Sequence, residues 1–323
     1  MRRIFGLLFS LAAGCGVVPM EMPVDSEITT AEGDHTKWVV NKLTFPMLKT
    51  DYAIDLNGDG KAENQLGSLI GTLASAMIDA QGGIDGSVAK GQAVVLFDVQ
   101  STDAMLKSAT NVGVTVYKGK DTTSAPKFDG KDTFTIDPVD APAPTYGKLT
   151  SGKYSSNLPP PTKHPVKLVL RVPILGGGTP VALPLNGAHV QFQGSSSSLM
   201  SGQIHGSLKK TDVDMSIIPA IAKRFEDNIH DKPNDPDSKT LKMVFDVGDG
   251  NGGECTSFDG SKGKANDSKI APCEVSGNAL IGALFAPDVD IYDEAGNYAP
   301  NKANTGKDAL SVGVAFTAVK ASF

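Results

Sequence analysis

The sequence predicts a mainly β protein of the α+β class, with an antiparallel sheet and two or three helices. Glycine and proline number 35 and 20, and such turn-forming residues favour many short strands over long helices. Several segments alternate apolar and polar residues, which is the pattern of a half-buried strand, whereas few show helical spacing. These patterns do not distinguish an antiparallel sandwich from a partly open barrel.

The first predicted strands are short and apolar. Residues 38–45 are expected to form the first strand, and residues 94–99 a strand buried on both faces. The alternating valines of 112–116, and the pair Phe134 and Ile136, predict two further half-buried strands.

Residues 64–80 predict the first helix, because apolar residues recur there at a spacing of three and four. Gly67 and Gly71 lie four residues apart, which would let another stretch of backbone approach closely. The glycines of 82–86 are expected to end this helix.

Residues 137–165 contain seven prolines and are expected to form an extended surface excursion or a connection between two units. The β-rich domain of 37–323 is therefore one unit or two halves divided by this segment.

The second half repeats the mixture of strands and helix. Residues 217–229 predict an amphipathic helix with Pro219 in its first turn, where a missing N–H is tolerated. Strands are expected at 166–174, 181–185, 190–192, 199–208, 241–245 and 310–316.

The N-terminus predicts export. Residues 1–14 have a charged start, a short apolar run and small residues before Cys15, the layout of a lipoprotein signal peptide. Lipidation of Cys15 would anchor the chain to a membrane, and residues 15–36 would form a flexible tether. The absence of aspartate after Cys15 favours the bacterial outer membrane. The alternative is an ordinary secretory signal with Cys15 incidental.

Composition excludes some functions. The net charge is −6 and the basic residues are scattered, which argues against nucleic acid as a partner. The five histidines fit no metal or triad spacing, so no catalytic residue is assigned, although a hydrolase that uses a pair of carboxylates remains open.

Two further cysteines, Cys255 and Cys273, are expected to form a disulfide in an oxidising compartment. The closed loop would stabilise the fold by about 3 kcal/mol. A cysteine metal site is the alternative, but no Cys-x-x-Cys pair or nearby histidine favours it.

The strongest candidate for chemistry is the acidic run of residues 55–63, which follows a D-x-N-x-D-G pattern. Its oxygen atoms are spaced as in the front half of an EF-hand calcium loop, with Gly60 at the sharp turn and Leu66 in place of the bidentate glutamate. A solvated acidic turn is the alternative. The predicted Ca²⁺ ligands are the side chains of Asp55, Asn57, Asp59 and Glu63 and the carbonyl of Lys61.

A second, weaker metal site is predicted in the glycine-rich loop that follows residues 241–245. It is an interrupted calcium loop or a floppy acidic loop, and the acidic run of 288–294 is interpreted as structural. The candidate ligands of the second site are Asp246, Asp249, Asn251, Glu254 and the distant Glu274.

Two stretches resemble a family of uncharacterised lipoproteins from myxobacteria and their relatives. The first is the D-x-N-x-D-G-x-x-x-N-Q-L-G pattern of residues 55–67, and the second comprises residues 286–293 and 308–319. The resemblance implies the lipid anchor and the first calcium loop, and the family has no assigned activity. Some members carry an intact EF-hand-like loop where this chain has the interrupted residues 246–274.

The leading hypothesis is a calcium-stabilised, membrane-anchored surface lipoprotein with a binding or adhesion role. Its ligand would be extracellular or periplasmic and is not identified by the sequence. A carrier of an apolar ligand, enclosed by sheet and helix, and a hydrolase are the alternatives.

Overall fold

The computed structural model describes residues 28–75, 79–138, 142–157, 166–172 and 181–323. Within these ranges, nine strands form one antiparallel sheet in the order β5-β4-β3-β2-β1-β11-β8-β7-β6. The strands of this sheet are β1 (Asp34–Thr44), β2 (Val95–Ser101), β3 (Ala109–Lys118), β4 (Thr145–Thr150), β5 (Lys153–Ser156), β6 (Lys167–Val172), β7 (Val181–Gly194), β8 (Ser198–Lys209) and β11 (Ala309–Lys320). Strands β9 (Glu254–Thr256) and β10 (Lys262–Lys264) pair separately.

The sheet closes on itself because β5 pairs with β7 as well as with β4. Tyr154 of β5 lies opposite Phe192 of β7, while β6 pairs with the earlier part of the same β7 edge. The mainly β prediction is therefore confirmed, and the sheet takes the form of a partly open barrel. Strands from both sides of residues 137–165 belong to this one sheet.

Large side chains fill the barrel interior, as expected for about eight strands. Trp38 is fully buried, and the rings of Phe97 and Phe316 stack with centroids 4.6 Å apart. Tyr154 and Phe192 stack at 4.9 Å across the closing strand pair.

All the helices of the described residues except the short helix Lys210–Asp212 contribute side chains to the same apolar core. The helices are α1 (Gln65–Ser75), α2 (Ala80–Ala89), α3 (Lys210–Asp212), α4 (Ile218–Asp231), α5 (Pro236–Phe245), α6 (Pro272–Gly277) and α7 (Ala279–Leu284), with a π-helical turn (Val213–Ile217) joining α3 to α4. The predicted helix at 217–229 is confirmed as α4, with Pro219 at its start.

Gly67 and Gly71 of α1 let another stretch of backbone approach the helix closely, as their spacing predicts. A Cβ atom on Gly67 would lie 2.1 Å from the carbonyl oxygen of Leu48, and one on Gly71 would lie 2.3 Å from that of Met47. The helix therefore packs directly against the 47–48 backbone, which leads from β1 into the loop at Asp55.

The glycines of 82–86 do not end a helix, contrary to expectation, but lie inside α2. Asp79 caps this helix by accepting a hydrogen bond from the N–H of Gly82 at 2.7 Å. Burial of Ile84 and Val88 offsets the low helix propensity of glycine.

Residues 241–245 were expected to form a strand and instead form the end of α5. Asp235 caps the helix, and Pro236 occupies the first turn, where no N–H is needed. The alternation over five residues also matches one half-buried helix face, because Leu241 and Phe245 lie four apart.

The prediction of a surface excursion at 137–165 is wrong for its middle part, which forms β4 and β5. Residues 139–141 and 158–165 lie outside the described residues. Phe134 and Ile136 also do not form a strand; Ile136 makes an isolated bridge, and Phe134 packs on Val39 and Leu96 outside the barrel.

Candidate metal centre

The Asp55 loop, residues 55–63, lies between β1 and α1. Its two ends are joined by a bridge in which the N–H of Glu63 donates to the carbonyl of Ile54 at 3.1 Å. The loop is therefore closed at its base, and its polar side chains are held within a short, compact turn.

The carboxylate of Asp55 organises this loop. It accepts hydrogen bonds from the backbone N–H groups of Gly58 at 2.6 Å, Asp59 at 3.1 Å and Gly60 at 2.8 Å. Gly60 has φ +87°, which glycine adopts readily, so the sharp turn expected at this position is present.

Two more predicted ligands are drawn into the turn. Asn57 is buried, and its Oδ1 accepts from the N–H of Asp59 at 3.3 Å. Asp59 in turn accepts from the N–H of Lys61 at 2.9 Å. The Lys61 ammonium lies 3.8 Å from Asp59, but its side chain is 76% exposed, so water screens this ion pair.

Within the described part of the chain, the side chain of Glu63 lacks a hydrogen-bond partner on one of its carboxylate oxygens. It is buried, and its Oε2 has no hydrogen-bond partner among the described residues. Burial raises the pKa of its carboxyl to about 7, and the charges of Asp59 and Asp288 add to the increase. A buried carboxylate among like charges is costly unless a cation compensates it.

The segment of residues 286–308, between α7 and β11, reaches this loop from the other end of the chain. Asn304 Nδ2 donates to Asp59 at 3.3 Å, and the Lys302 side chain lies over Gly58. Asp288 is buried and accepts from the N–H of Ser311 at 2.8 Å. Sequence reasoning interpreted the acidic run that contains Asp288 as structural and did not name Asn304. No local pattern links either residue to the Asp55 loop.

No three carboxylate, imidazole or thiol groups among the described residues stand in an arrangement that would hold a metal ion. The oxygens of Asp55 and Asp59 instead accept backbone N–H groups. The donor set nevertheless fits calcium by its chemistry, since Ca²⁺ binds oxygen ligands. A carboxylate has about four lone-pair sites, so even Asp55, which accepts three N–H groups, keeps one for a cation.

The second predicted site is only partly assembled. Asp246 is buried and accepts from the N–H groups of Asp267 at 3.0 Å and Ser268 at 2.9 Å. Glu274 is also buried, and it accepts from Gly248 at 2.6 Å and Ala271 at 2.8 Å. Both carboxylates therefore tie together backbone segments.

The remaining residues of the second site are exposed. Asp249 accepts from the N–H groups of Asn251 and Gly253, each at 2.8 Å, which closes a local turn. Glu254 lies in β9 and faces Lys262 at 3.5 Å. The geometry separates these side chains from the buried pair formed by Asp246 and Glu274.

The disulfide expected between Cys255 and Cys273 is present. The N–H of Cys273 also donates to Ser257 Oγ at 2.9 Å, so a hydrogen bond beside the bridge joins the same two segments. Because Glu274 directly follows Cys273, the disulfide holds this carboxylate in position beneath Gly248.

His189 and His205 lie directly opposite each other on β7 and β8. Their ring centroids are 5.8 Å apart, and both side chains are buried. Burial lowers the pKa of His189 to about 4 and that of His205 well below its usual range. Both rings are therefore neutral at physiological pH, and His189 bonds to Ser156 Oγ at 2.8 Å.

Comparison of the chain with protein families, curated proteins and solved structures gave no match. In the part of the chain that the structure describes, none of the helices has the length and apolarity needed to cross a bilayer. Cys15 and the predicted tether up to residue 27 lie outside the described residues. The prediction of a tether is wrong for its last residues, because the N–H of Glu32 donates to the Asn111 carbonyl at 3.0 Å and residues 34–36 belong to β1.

Proposed function

We propose that this protein is a surface lipoprotein of a bacterial outer membrane, anchored through lipid at Cys15 and stabilised by Ca²⁺ at the Asp55 loop. Its role is to bind or adhere to an extracellular or periplasmic ligand. The anchor rests on the sequence of residues 1–15.

The calcium proposal rests on one observation above all. Oε2 of Glu63 is buried without a partner beside an acidic turn of the spacing that calcium loops use. A divalent cation would compensate Glu63 and the neighbouring charges of Asp55 and Asp59 together.

A polar cavity of about 330 Å³ supports the binding role. Lys167 and Lys209 line it from the barrel side, and Tyr292 and Tyr298 line it from the 286–308 segment. The Tyr298 hydroxyl is buried without a partner among the described residues. The segment that meets the Asp55 loop thus also forms a wall of this cavity.

Thermal unfolding of the full chain in calcium and in EDTA tests the metal. At a calcium concentration one hundred times Kd, binding would stabilise the fold by about 2.7 kcal/mol, which corresponds to a rise in Tm of about 4–5 °C for a chain of this size. An equal Tm in calcium and EDTA would reject calcium and make the loop an ordinary turn.

Glu63→Gln provides the matched variant, because the amide keeps the shape and removes the buried charge. We expect it to raise Tm in EDTA and to lose most of the response to calcium. Glu254→Gln, in the second acidic loop, is the control and should respond like the wild type. Incorporation of a labelled fatty acid, lost in Cys15→Ser, tests the anchor separately.

A further inference from the structure

The Asp55 loop alone leaves a calcium shell incomplete. Calcium takes six to eight oxygens, and the loop contributes four side chains and one carbonyl at the predicted positions. The residue at the place of the bidentate glutamate is Leu66, which is buried in the apolar core. Any further protein ligand must therefore come from another part of the chain.

Asn304 brings to the Asp55 loop an amide oxygen that has no hydrogen-bond partner within the described ranges. Its Nδ2 donates to Asp59, and this orientation is chemically required because two oxygens would otherwise face each other. Oδ1 therefore points away from Asp59, and it is buried with no hydrogen-bond partner among the described residues. A buried amide oxygen without a donor is costly unless a cation or water meets it.

Glu63 carries the second free oxygen. Its side chain is 8% exposed, and Oε2 has no partner among the described residues. Glu63 and Asn304 come from distant parts of the chain, and both lie near Asp59. The charge of Asp59 acts on the Glu63 carboxyl, and its Oδ2 accepts a hydrogen bond from Asn304. Asp59 is thus a shared neighbour of the two residues that carry these unpartnered oxygens.

Asp288 adds a fixed negative charge from the same segment as Asn304. The backbone N–H and the hydroxyl of Ser311 hold its two oxygens at 2.8 and 2.5 Å. Each oxygen keeps a lone pair for a cation. The positive charge of Lys49 acts on the carboxyl groups of both Glu63 and Asp288. Because Lys49 is exposed, water screens its charge, and the two buried carboxyl groups stay largely uncompensated.

We infer that the calcium ion of the Asp55 loop is shared with the 286–308 segment, whose Asn304 Oδ1 and Asp288 carboxylate complete its shell. This inference rests on the proposed calcium function. The ion then acts as a clamp that fixes the 286–308 segment, and with it one wall of the polar cavity, onto the loop.

Calorimetric titration of the full chain with CaCl₂ tests the clamp. Asn304 has φ +50°, a left-handed conformation, so Asn304→Gly removes the side chain without backbone strain. We expect this variant to bind calcium about tenfold more weakly. Asn304→Asp adds a charged ligand and should bind calcium about threefold more tightly or better, while its Tm in EDTA falls because of repulsion from Asp59.

Asn297→Ala is the matched control on the same segment. Asn297 Nδ2 donates to Asp293 at 3.1 Å, which is the same kind of amide–carboxylate contact in an exposed turn outside residues 301–306. This variant should lower stability and leave calcium affinity within about twofold of the wild type.

The outcomes separate the two proposals. A wild-type chain that takes up no calcium overturns both. If the wild type binds and Glu63→Gln does not, while both Asn304 variants keep wild-type affinity, the loop is the site and the clamp is wrong. Hydrogen exchange gives an independent readout, because the clamp requires calcium to protect amides in 301–306 as well as in 55–63.

Discussion

The side chain of Asn64 pairs with the backbone of Gly313 as a neighbouring strand would. Nδ2 donates to the Gly313 carbonyl at 2.9 Å, and the Gly313 N–H donates back to Oδ1 at 3.0 Å. A third hydrogen bond runs from Nδ2 to the carbonyl of Asp51 at 2.7 Å. Asn64 is fully buried, so it connects the end of the Asp55 loop to the middle of β11 in a dry environment.

Asn64→Ala should therefore destabilise the fold by about 2–4 kcal/mol, since it leaves buried backbone groups without partners. Urea unfolding measures this loss. Asn111→Ala is the control, because Asn111 donates to Glu32 at an exposed position, and it should cost about 0.5 kcal/mol or less. A loss below 1 kcal/mol for Asn64→Ala would contradict the pairing.

Barrel closure depends on Tyr154. Its ring stacks on Phe192, and its hydroxyl donates to the Thr145 carbonyl at 2.9 Å. Tyr154→Ala should cost about 3–5 kcal/mol in urea unfolding through the lost packing. Tyr154→Phe keeps the ring and should cost about 1–2 kcal/mol for the lost hydrogen bond. Equal losses in the two variants would show that packing across β5 and β7 contributes little.

Removal of the disulfide should lower the stability of the whole fold and also loosen the backbone around Glu274. The chain-entropy model gives a loss of about 3 kcal/mol for Cys255→Ser with Cys273→Ser, measured as a lower urea midpoint. Because Glu274 is held beside Cys273, amide exchange at Gly248 and Ala271 should also accelerate. Exchange that stays at the wild-type rate there would separate the bridge from the position of Glu274.

The buried histidine pair predicts acid sensitivity. The folded-state pKa of His189 is lowered to about 4, whereas the unfolded chain has the ordinary value near 6.5. The unfolded state therefore binds more protons between these values, and stability falls as the pH is lowered from about 6.5 to about 4. The loss approaches about 3 kcal/mol below that window.

His189→Gln isolates this contribution. Because glutamine does not titrate, the difference in unfolding free energy between variant and wild type should shrink as the pH falls through the window. His35→Gln is the control, since His35 is exposed beside Asp98. A difference that does not change with pH would place the acid sensitivity on other groups.

Sequence patterns correctly predicted the elements that interactions between residues close in the chain determine. The Asp55 turn follows from Asx chemistry and from Gly60, and α4 follows from helical spacing with Pro219 in the first turn. The patterns failed where long-range packing decides. Residues 145–156 form strands because β3 and β7 lie beside them, and α2 tolerates its glycines because Ile84 is buried.

The candidate metal centre likewise contains some residues that local spacing predicts and others that only long-range packing brings close. Spacing along the chain indicated Asp55, Asn57, Asp59 and Glu63, which lie within one turn. The contact of Asn304 with Asp59 spans 245 residues and depends on how β11 is placed in the sheet, so no local pattern contains it.

The position of β11 between β1 and β8 also governs the order in which the barrel can be built. A nascent chain that has not yet supplied residues 309–320 leaves both neighbouring strands with open edges, and the ring cannot close. Such distant pairing makes folding slow. If the chain is exported as proposed, it could therefore reach a translocation pore with its barrel still open, before residues 309–320 have been added to the sheet.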